Sequence, residues 1–324
     1  MLYFLQLIRF IAANLVLLYH LYLFDSGYKG VDVFFVISGF VMYYTLYTRK
    51  KPSAFKFIIN RFTKIFFLYW VAIGTLYFIL PPHTQFFNLK TLLLFPGHSP
   101  VLGVSWSLSY ELYFYFLIGM VVYLVPSRYH LSIFFTFLAL TTAVTLINLT
   151  EYSFKGSIWN FLFGQNLWQF LLGLASGFFF ANKSVDRKLS LAMVLICSSL
   201  FMVINIPFDT PISYIIYGPL AFGIVWLISS FEKSFTFQKK PAEVIRILGE
   251  ASYAIYLFGP IITLLIGFDK PMNIFLIIII TNIFSILFNR FIESPFLKWF
   301  RNLIFEKTGK QEPKLDKHNE KQLL

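Results

Sequence analysis

The chain has 324 residues, of which 58% are hydrophobic and only 13% are charged, and its formal net charge is +12. This composition is too apolar for a soluble globular protein. Cys197 is the one cysteine, which excludes an intramolecular disulfide framework, and no metal site is predicted. The basic excess is spread between apolar stretches, as topogenic charges are, so no nucleic-acid partner is expected.

Apolar stretches recur from end to end and predict an all-α, polytopic transmembrane helical bundle surrounded by membrane lipids. The ten predicted spans are residues 5–24, 31–48, 62–80, 104–125, 131–149, 158–181, 189–206, 212–230, 245–267 and 272–292. An even number places both termini on one side, and most of the 27 Lys and Arg residues then lie on that side. The positive-inside rule therefore predicts cytoplasmic termini. Residues 1–300 would form the transmembrane domain and 301–324 a polar, basic cytoplasmic tail.

Two chargeable residues interrupt the first span. Arg9 and His20 are eleven residues apart, which leaves them about 20° apart around a helix and about 16 Å apart along it. Taken singly, Arg9 is typical of a snorkelling anchor and His20 of a buried, hydrogen-bonded polar group. Together they place a fixed cation and a potential general base on one helix face, which indicates a functional site.

A second cluster lies at the start of the second span, in GYKGVDVFFVISGF. Asp32 is either a first-turn acid of the helix or a carboxylate that orients His20 or binds a polar substrate. Gly39 lies seven residues further on the same face, where a helix or a ligand could approach closely.

A basic cluster precedes the third span. Arg61 and Lys64 are three residues apart and share a helix face at its predicted cytoplasmic entrance. The pair either contributes to positive-inside charge and headgroup contact, or clamps the phosphates of an anionic cytosolic molecule.

The segment WSLSYELYFY opens the fourth span with a polar stripe. Ser107, Glu111 and Tyr115 recur at four-residue spacing, and a carboxylate inside a span is expected to face the protein interior. The neighbouring aromatic residues Trp106 and Tyr110 belong either to an interfacial belt or to a sugar-stacking surface.

Three further patterns are predicted to be mainly structural. Gly173 and Gly177 form a GxxxG step that favours close helix packing. Arg290 and Glu293 have the spacing of an i,i+3 ion pair just before Pro295. In LGEASYAIYLFGP, Ser252 and Tyr256 share a helix face.

These segments, in this order, resemble the acyltransferase-3 family of bacterial membrane acyltransferases. Arg9 and His20 match the family's Arg, ten residues, His pattern. The other matching segments are GVDVFFVISGF, NRFTKIFFLYW, WSLSYE, SYAIYL and FIESPF. The chain departs from the family where Lys64 replaces a second arginine, Phe67 replaces a proline and Gly259 stands where many members have a second histidine.

The resemblance implies an inner-membrane enzyme that O-acetylates a carbohydrate acceptor, namely a cell-surface polysaccharide or its lipid-linked precursor. The implied donor is acetyl-CoA, with its phosphates held by Arg9, Arg61 and Lys64. His20 would act as base or transient acyl carrier, Asp32 and Glu111 would orient it or the sugar, and the acceptor would contact Trp106, Ser107, Tyr110 and Tyr115.

Two other functions account for ionisable residues inside spans. A transporter or exporter of polysaccharide intermediates would use them to line a pathway. A structural subunit of an envelope complex would use them to join partner helices. Acyl transfer by the purified protein separates an enzyme from both.

Overall fold

The computed structural model describes residues 2–48, 54–79, 88–96, 101–151, 158–207, 210–233, 235, 237–267 and 271–306. Every regular element in these ranges is helical, because a backbone in lipid must satisfy its own hydrogen bonds. The α-helices are α1 (Tyr3–His20), α2 (Gly30–Tyr43), α3 (Ala54–Ile79), α4 (Leu89–Leu92), α5 (Trp106–Leu124), α6 (Ser127–Glu151), α7 (Ile158–Phe163), α8 (Gln165–Asn182), α9 (Arg187–Val203), α10 (Pro211–Glu232), α11 (Lys239–Ile266), α12 (Pro271–Phe288) and α13 (Ser294–Glu306).

The polytopic helical membrane fold is confirmed. Within the described residues, eight helical stretches are long and apolar enough to cross a membrane, by length and composition. The two predicted spans outside this set correspond to α8 and α9. Helix α8 carries Gln165, Asn166 and Gln169, and all three side chains are buried inside the protein instead of facing lipid.

Several predicted boundaries were wrong, and each has a local cause. The span predicted to end at Phe24 stops at His20, where Tyr22 turns the chain through a left-handed conformation with φ of 56°. The span predicted over 158–181 is broken at Gly164, whose extended backbone separates α7 from α8. Helix α3 begins at Ala54, so Arg61 lies about two turns inside it instead of at its entrance.

The close packing predicted for the glycine positions is confirmed. Helix α2 runs along α8, and a Cβ added at Gly173 would lie 2.2 Å from the carbonyl oxygen of Val36. A Cβ at Gly177 would lie 2.7 Å from Tyr43. A helix, and not a ligand, occupies the space beside Gly39: its added Cβ would lie 2.0 Å from the Phe170 carbonyl oxygen.

Helix α1 is held on three sides. It packs along α11 and also contacts α2 and α10. Glu232, the last residue of α10, accepts hydrogen bonds from the backbone N–H groups of Tyr3 and Phe4, which have no partner within α1. This carboxylate caps the N-terminus of α1, where negative charge is favourable.

In the described part of the chain, two stretches wind as π-helix instead of α-helix. Residues Tyr44–Thr48 continue α2, and residues Asn289–Glu293 join α12 to α13. Such turns place side chains off the regular helical register and often occur at functional sites. Helix α13 continues to Glu306, inside the predicted tail, and the residues beyond lie outside the described part of the chain.

Candidate active site

Five helices line one partly open cavity, whose empty space, with the open solvent at its mouth included, is about 630 Å³. Its wall is formed by α1, α2, α3, α5 and α11, each of which supplies at least one polar or charged side chain. The lining residues are Arg9, Val31, Phe34, Phe35, Ile37, Ser38, Val41, Arg61, Ser107, Leu108, Glu111, Tyr115, Tyr253 and Tyr256. The charged and hydroxyl groups that the sequence spreads between positions 9 and 256 therefore meet in one place.

Two arginines provide the positive charge of the cavity. The Arg9 guanidinium lies 3.4 Å from the side-chain oxygen of Gln6, one turn earlier on α1. The Arg61 guanidinium stacks over Phe57 at 5.2 Å and over Tyr115 at 5.7 Å from the ring centroids. Among the described residues, the ion pairs involve neither arginine, so both cations remain available to an anion.

Glu111 is the only carboxylate that lines the cavity in the described part of the chain. Its Oε1 accepts hydrogen bonds from the Ser38 hydroxyl at 3.2 Å and from the Tyr115 hydroxyl at 2.6 Å. These two donors fix the carboxylate from α2 and from its own helix α5. Two cations against one carboxylate leave the cavity positive, which favours a negatively charged ligand.

Tyr256 ties α11 to α5 at the cavity wall. Its hydroxyl lies 2.8 Å from the carbonyl oxygen of Val104 and 2.8 Å from the Ser107 hydroxyl, which is itself 3.2 Å from the same carbonyl, so the two hydroxyls and the carbonyl form one hydrogen-bonded group. Ser107 thus has a structural partner inside the protein. Ser252, predicted to share a face with Tyr256, donates to the Gly249 carbonyl of its own helix.

Lys64 forms an ion pair with Glu293, whereas Arg61 stacks on aromatic rings. Its Nζ lies 3.3 Å from Oε1 of Glu293 and 5.9 Å from the centroid of the Tyr253 ring. The pairing predicted between Arg290 and Glu293 is not the one the structure forms. The π-helical turn rotates Glu293 into the protein, while Arg290 stays exposed with its guanidinium over Phe291.

His20 lies at the C-terminal end of α1, outside the lining of the cavity. Helix α2 begins beside the middle of α1, because Gly30 packs on the carbonyl of Ala12. His20 is eight residues further along α1, about two helical turns past this contact. Its Nδ1 contacts the Val16 carbonyl oxygen at 2.8 Å. A carbonyl can only accept, so Nδ1 carries the proton and Nε2 of the neutral ring can accept one.

Asp32 is buried and accepts a hydrogen bond from Nε2 of Gln169 on α8. The structure thus pairs the carboxylate with α8, while the hydrogen bond of His20 goes to its own helix. Gln169 was not singled out from the sequence, although an amide inside an otherwise apolar segment marks a buried polar contact.

Trp106 and Tyr110 join an aromatic cluster beside the cavity. The Trp106 ring meets Phe35 edge-on at 6.0 Å, and Tyr110 packs against Phe161 at 4.5 Å between centroids. Both side chains are half-buried. Their contacts with Phe35, which lines the cavity, place the cluster next to it.

Of the predicted site residues, the structure brings Arg9, Arg61, Ser107, Glu111 and Tyr115 into one cavity, and leaves His20, Asp32, Lys64, Trp106 and Tyr110 outside its lining. Sequence reasoning missed Ser38 and Tyr253. Ser38 is a hydroxyl in the middle of an apolar helix, and that interruption was the available signal. Tyr253 stands beside Ser252, and the helical spacing of that segment drew attention to Ser252 and Tyr256 instead.

A bundle of membrane-spanning helices around a cavity lined by two arginines and one glutamate of the described residues defines a polytopic integral-membrane protein with a charged cavity between its helices. The chain belongs to the acyltransferase-3 family, whose acyltransferase-domain model matches residues 2–293, and it is an O-acyltransferase. One departure from the family, Gly259, faces α1: a Cβ there would lie 3.0 Å from Leu17, one turn before His20.

A curated relative supports the same family. The chain is 27% identical over 301 residues to the exopolysaccharide production protein ExoZ of Rhizobium meliloti (strain 1021). The similarity covers 85% of this chain and 91% of that protein. The comparison with solved structures gave no match.

Proposed function

We propose that this enzyme transfers an acetyl group from cytosolic acetyl-CoA to a hydroxyl of a cell-surface polysaccharide or its lipid-linked precursor. The observation that carries the proposal is the presence of Arg9 and Arg61 in one cavity, where Glu111 is the one lining carboxylate of the described residues. Acyl-CoA carries several phosphate charges, and guanidinium groups bind phosphate oxygens well. The polysaccharide acceptor is supported by the relative ExoZ, which is an exopolysaccharide production protein.

The separation between the cations and the histidine fits a long donor. Arg9 and His20 lie on one helix, about 16 Å apart along its axis. Coenzyme A is an extended molecule that has its phosphates near one end and its thioester at the other. With the phosphates at Arg9 and Arg61, the acyl group would reach towards His20.

In the proposed reaction, Nε2 of His20 removes the proton of a sugar hydroxyl while the oxygen of that hydroxyl attacks the thioester carbonyl carbon. The C–O bond forms, the C–S bond breaks, and the leaving thiolate takes up the proton from the imidazolium. The Val16 carbonyl holds the ring in the tautomer that this step needs. Asp32 and Glu111 would orient the sugar, since the hydrogen bond of His20 goes to its own helix. The aromatic cluster of Trp106 and Tyr110 would pack against the sugar.

The proposed topology follows the charge distribution. Cytoplasmic termini in the inner membrane would place the Lys- and Arg-rich loops in the cytosol, where acetyl-CoA is made. His20, at the opposite end of α1, would then lie nearer the outer face, on the side of the acceptor.

The test is acetyl transfer by protein purified in detergent, read as thiol release from acetyl-CoA and as gain of one acetyl mass on envelope glycans. His20→Ala should abolish both readouts while the folded protein is still recovered. Ile11→Ala is the matched control, because Ile11 is on the same helix with 46% of its surface exposed. Normal turnover in His20→Ala would contradict the mechanism. In cells without the protein, loss of surface polysaccharide with unchanged glycan acetylation would favour an exporter.

A further inference from the structure

The cavity contains one hydroxyl whose hydrogen-bonding capacity the protein does not use. Tyr253 on α11 lines the cavity and is 9% exposed, yet its hydroxyl has no hydrogen-bond partner within the described residues. Buried hydroxyl groups normally have partners, because an unpaired one loses its bonds to water without replacement.

The other hydroxyls that line this cavity have partners. Ser38 and Tyr115 donate to Glu111, and Ser107 bonds to Tyr256, which in turn donates to Val104. The contrast within α11 is direct, since Tyr253 and Tyr256 are three residues apart on neighbouring positions of one helix face. The Tyr256 hydroxyl bonds α11 to neighbouring elements, whereas the Tyr253 hydroxyl has no partner among the described residues.

The Tyr253 ring is nevertheless held in place. Lys64 lies over it at 5.9 Å, and Lys64 is itself anchored by Glu293, which is fully buried. The Tyr253 ring is therefore anchored, its hydroxyl donor is unused, and it lines a cavity that also holds Arg9 and Arg61. This arrangement is typical of a ligand-binding side chain and not of one that only fills space.

We propose that Tyr253 is a donor-binding residue: its hydroxyl donates a hydrogen bond to a phosphate oxygen of the acyl-CoA that Arg9 and Arg61 attract. This assignment rests on the proposed function, because it takes acyl-CoA as the anion. A phenol O–H is a neutral donor. Its hydrogen bond would help to orient the phosphate that the two guanidinium groups attract, without adding charge to the cavity.

The experiment compares Tyr253→Phe with Tyr256→Phe in detergent-purified full-length protein. Acetyl-CoA affinity is measured by calorimetric titration, stability by the midpoint of thermal unfolding, and turnover by thiol release. Tyr253→Phe should weaken acetyl-CoA binding about tenfold and raise KM for acetyl-CoA by a similar factor, with kcat nearly unchanged. Its unfolding midpoint should equal or exceed that of the wild type, because no bond within the protein is lost.

Tyr256→Phe is the matched control with the opposite signature. It removes the bonds to Val104 and Ser107 and should lower the unfolding midpoint. A Tyr253→Phe protein with unchanged acetyl-CoA affinity, with a lower kcat at constant KM, or with the stability loss of Tyr256→Phe would overturn the assignment. Wild-type protein that binds no acetyl-CoA would instead contradict the proposed donor, and the assignment with it.

Discussion

Gly39 of α2 and Gly173 of α8 touch backbone to backbone, since a Cβ added to either residue would lie 2.9 Å from the Cα of the other. This contact fixes α2, which carries Asp32 and Ser38, against α8, which carries Gln169. In a membrane the helices gain little from hydrophobic burial against one another, so close backbone packing contributes a large share of their association.

We therefore predict that Gly39→Ala and Gly173→Ala each destabilise the protein strongly. The added methyl groups would lie 2.0 and 2.2 Å from the backbone carbonyls of Phe170 and Val36, which cannot move without separating the helices. The expected cost is about 3 kcal/mol or more in the free energy of unfolding, seen as a lower unfolding midpoint or loss of folded protein. Gly74→Ala is the control, because nothing lies within 4 Å of its added Cβ. Equal midpoints for all three variants would show that the helices do not pack in this way.

The glycine contact was accessible from the sequence, whereas other features were not. GxxxG spacing and charges inside apolar segments are conspicuous, so Arg9, Arg61 and Glu111 could be selected before their cavity was seen. The partner of Glu293 could not be predicted from the sequence, because residues 289–293 wind as π-helix and the sequence does not show this change of register. Tyr253 was equally hidden, since the chain has 19 tyrosines and only three-dimensional contacts show which hydroxyl lacks a partner.

The Lys64–Glu293 ion pair predicts an asymmetric mutational response. Lys64 retains 25% side-chain exposure and Glu293 only 1%. Lys64→Met would leave a buried carboxylate with the Asn289 amide as its remaining described partner, at a cost of about 3 kcal/mol. Glu293→Gln would leave a lysine that can still reach water, at a cost of about 1 kcal/mol.

Thermal unfolding of the two single variants and the double variant measures this difference. The double variant should be more stable than the sum of the single losses implies, because neither charge is then left alone. Additive losses, or a larger loss for Glu293→Gln, would mean that the pair does not form.

Lys29 predicts a second stability effect, far from the cavity. This lysine is fully buried in the turn before α2. Its Nζ donates to the carbonyl oxygens of Phe201 and Ile204, at 3.0 and 2.6 Å, and thereby caps the C-terminal end of α9.

Lys29→Met would leave the Phe201 carbonyl without this donor and the Ile204 carbonyl with the Tyr217 hydroxyl, at 3.0 Å, as its remaining side-chain donor. The loss should cost about 2 kcal/mol in the free energy of unfolding. Lys188→Met, at the exposed beginning of α9, should leave the unfolding midpoint nearly unchanged. A Lys29→Met protein as stable as Lys188→Met would contradict the capping role.

The charges of the cavity predict opposite changes in donor binding for two variants. Arg61→Gln removes a cation and should weaken acetyl-CoA binding at least tenfold. Glu111→Gln removes the one lining carboxylate of the described residues, while its amide oxygen can still accept from Ser38 and Tyr115. The cavity then becomes more positive, so acetyl-CoA should bind as tightly as in the wild type or a few-fold more tightly.

Calorimetric titration at two salt concentrations is the measurement, since a charge-driven difference shrinks as salt rises. Arg128→Gln is the control for Arg61→Gln, because Arg128 is exposed at the start of α6 and lies outside the cavity. If Glu111→Gln weakened binding as much as Arg61→Gln, the carboxylate would be holding the arginines in place and not opposing the anion. Such a result would make the network of Glu111, Ser38 and Tyr115 the frame that positions Arg9 and Arg61.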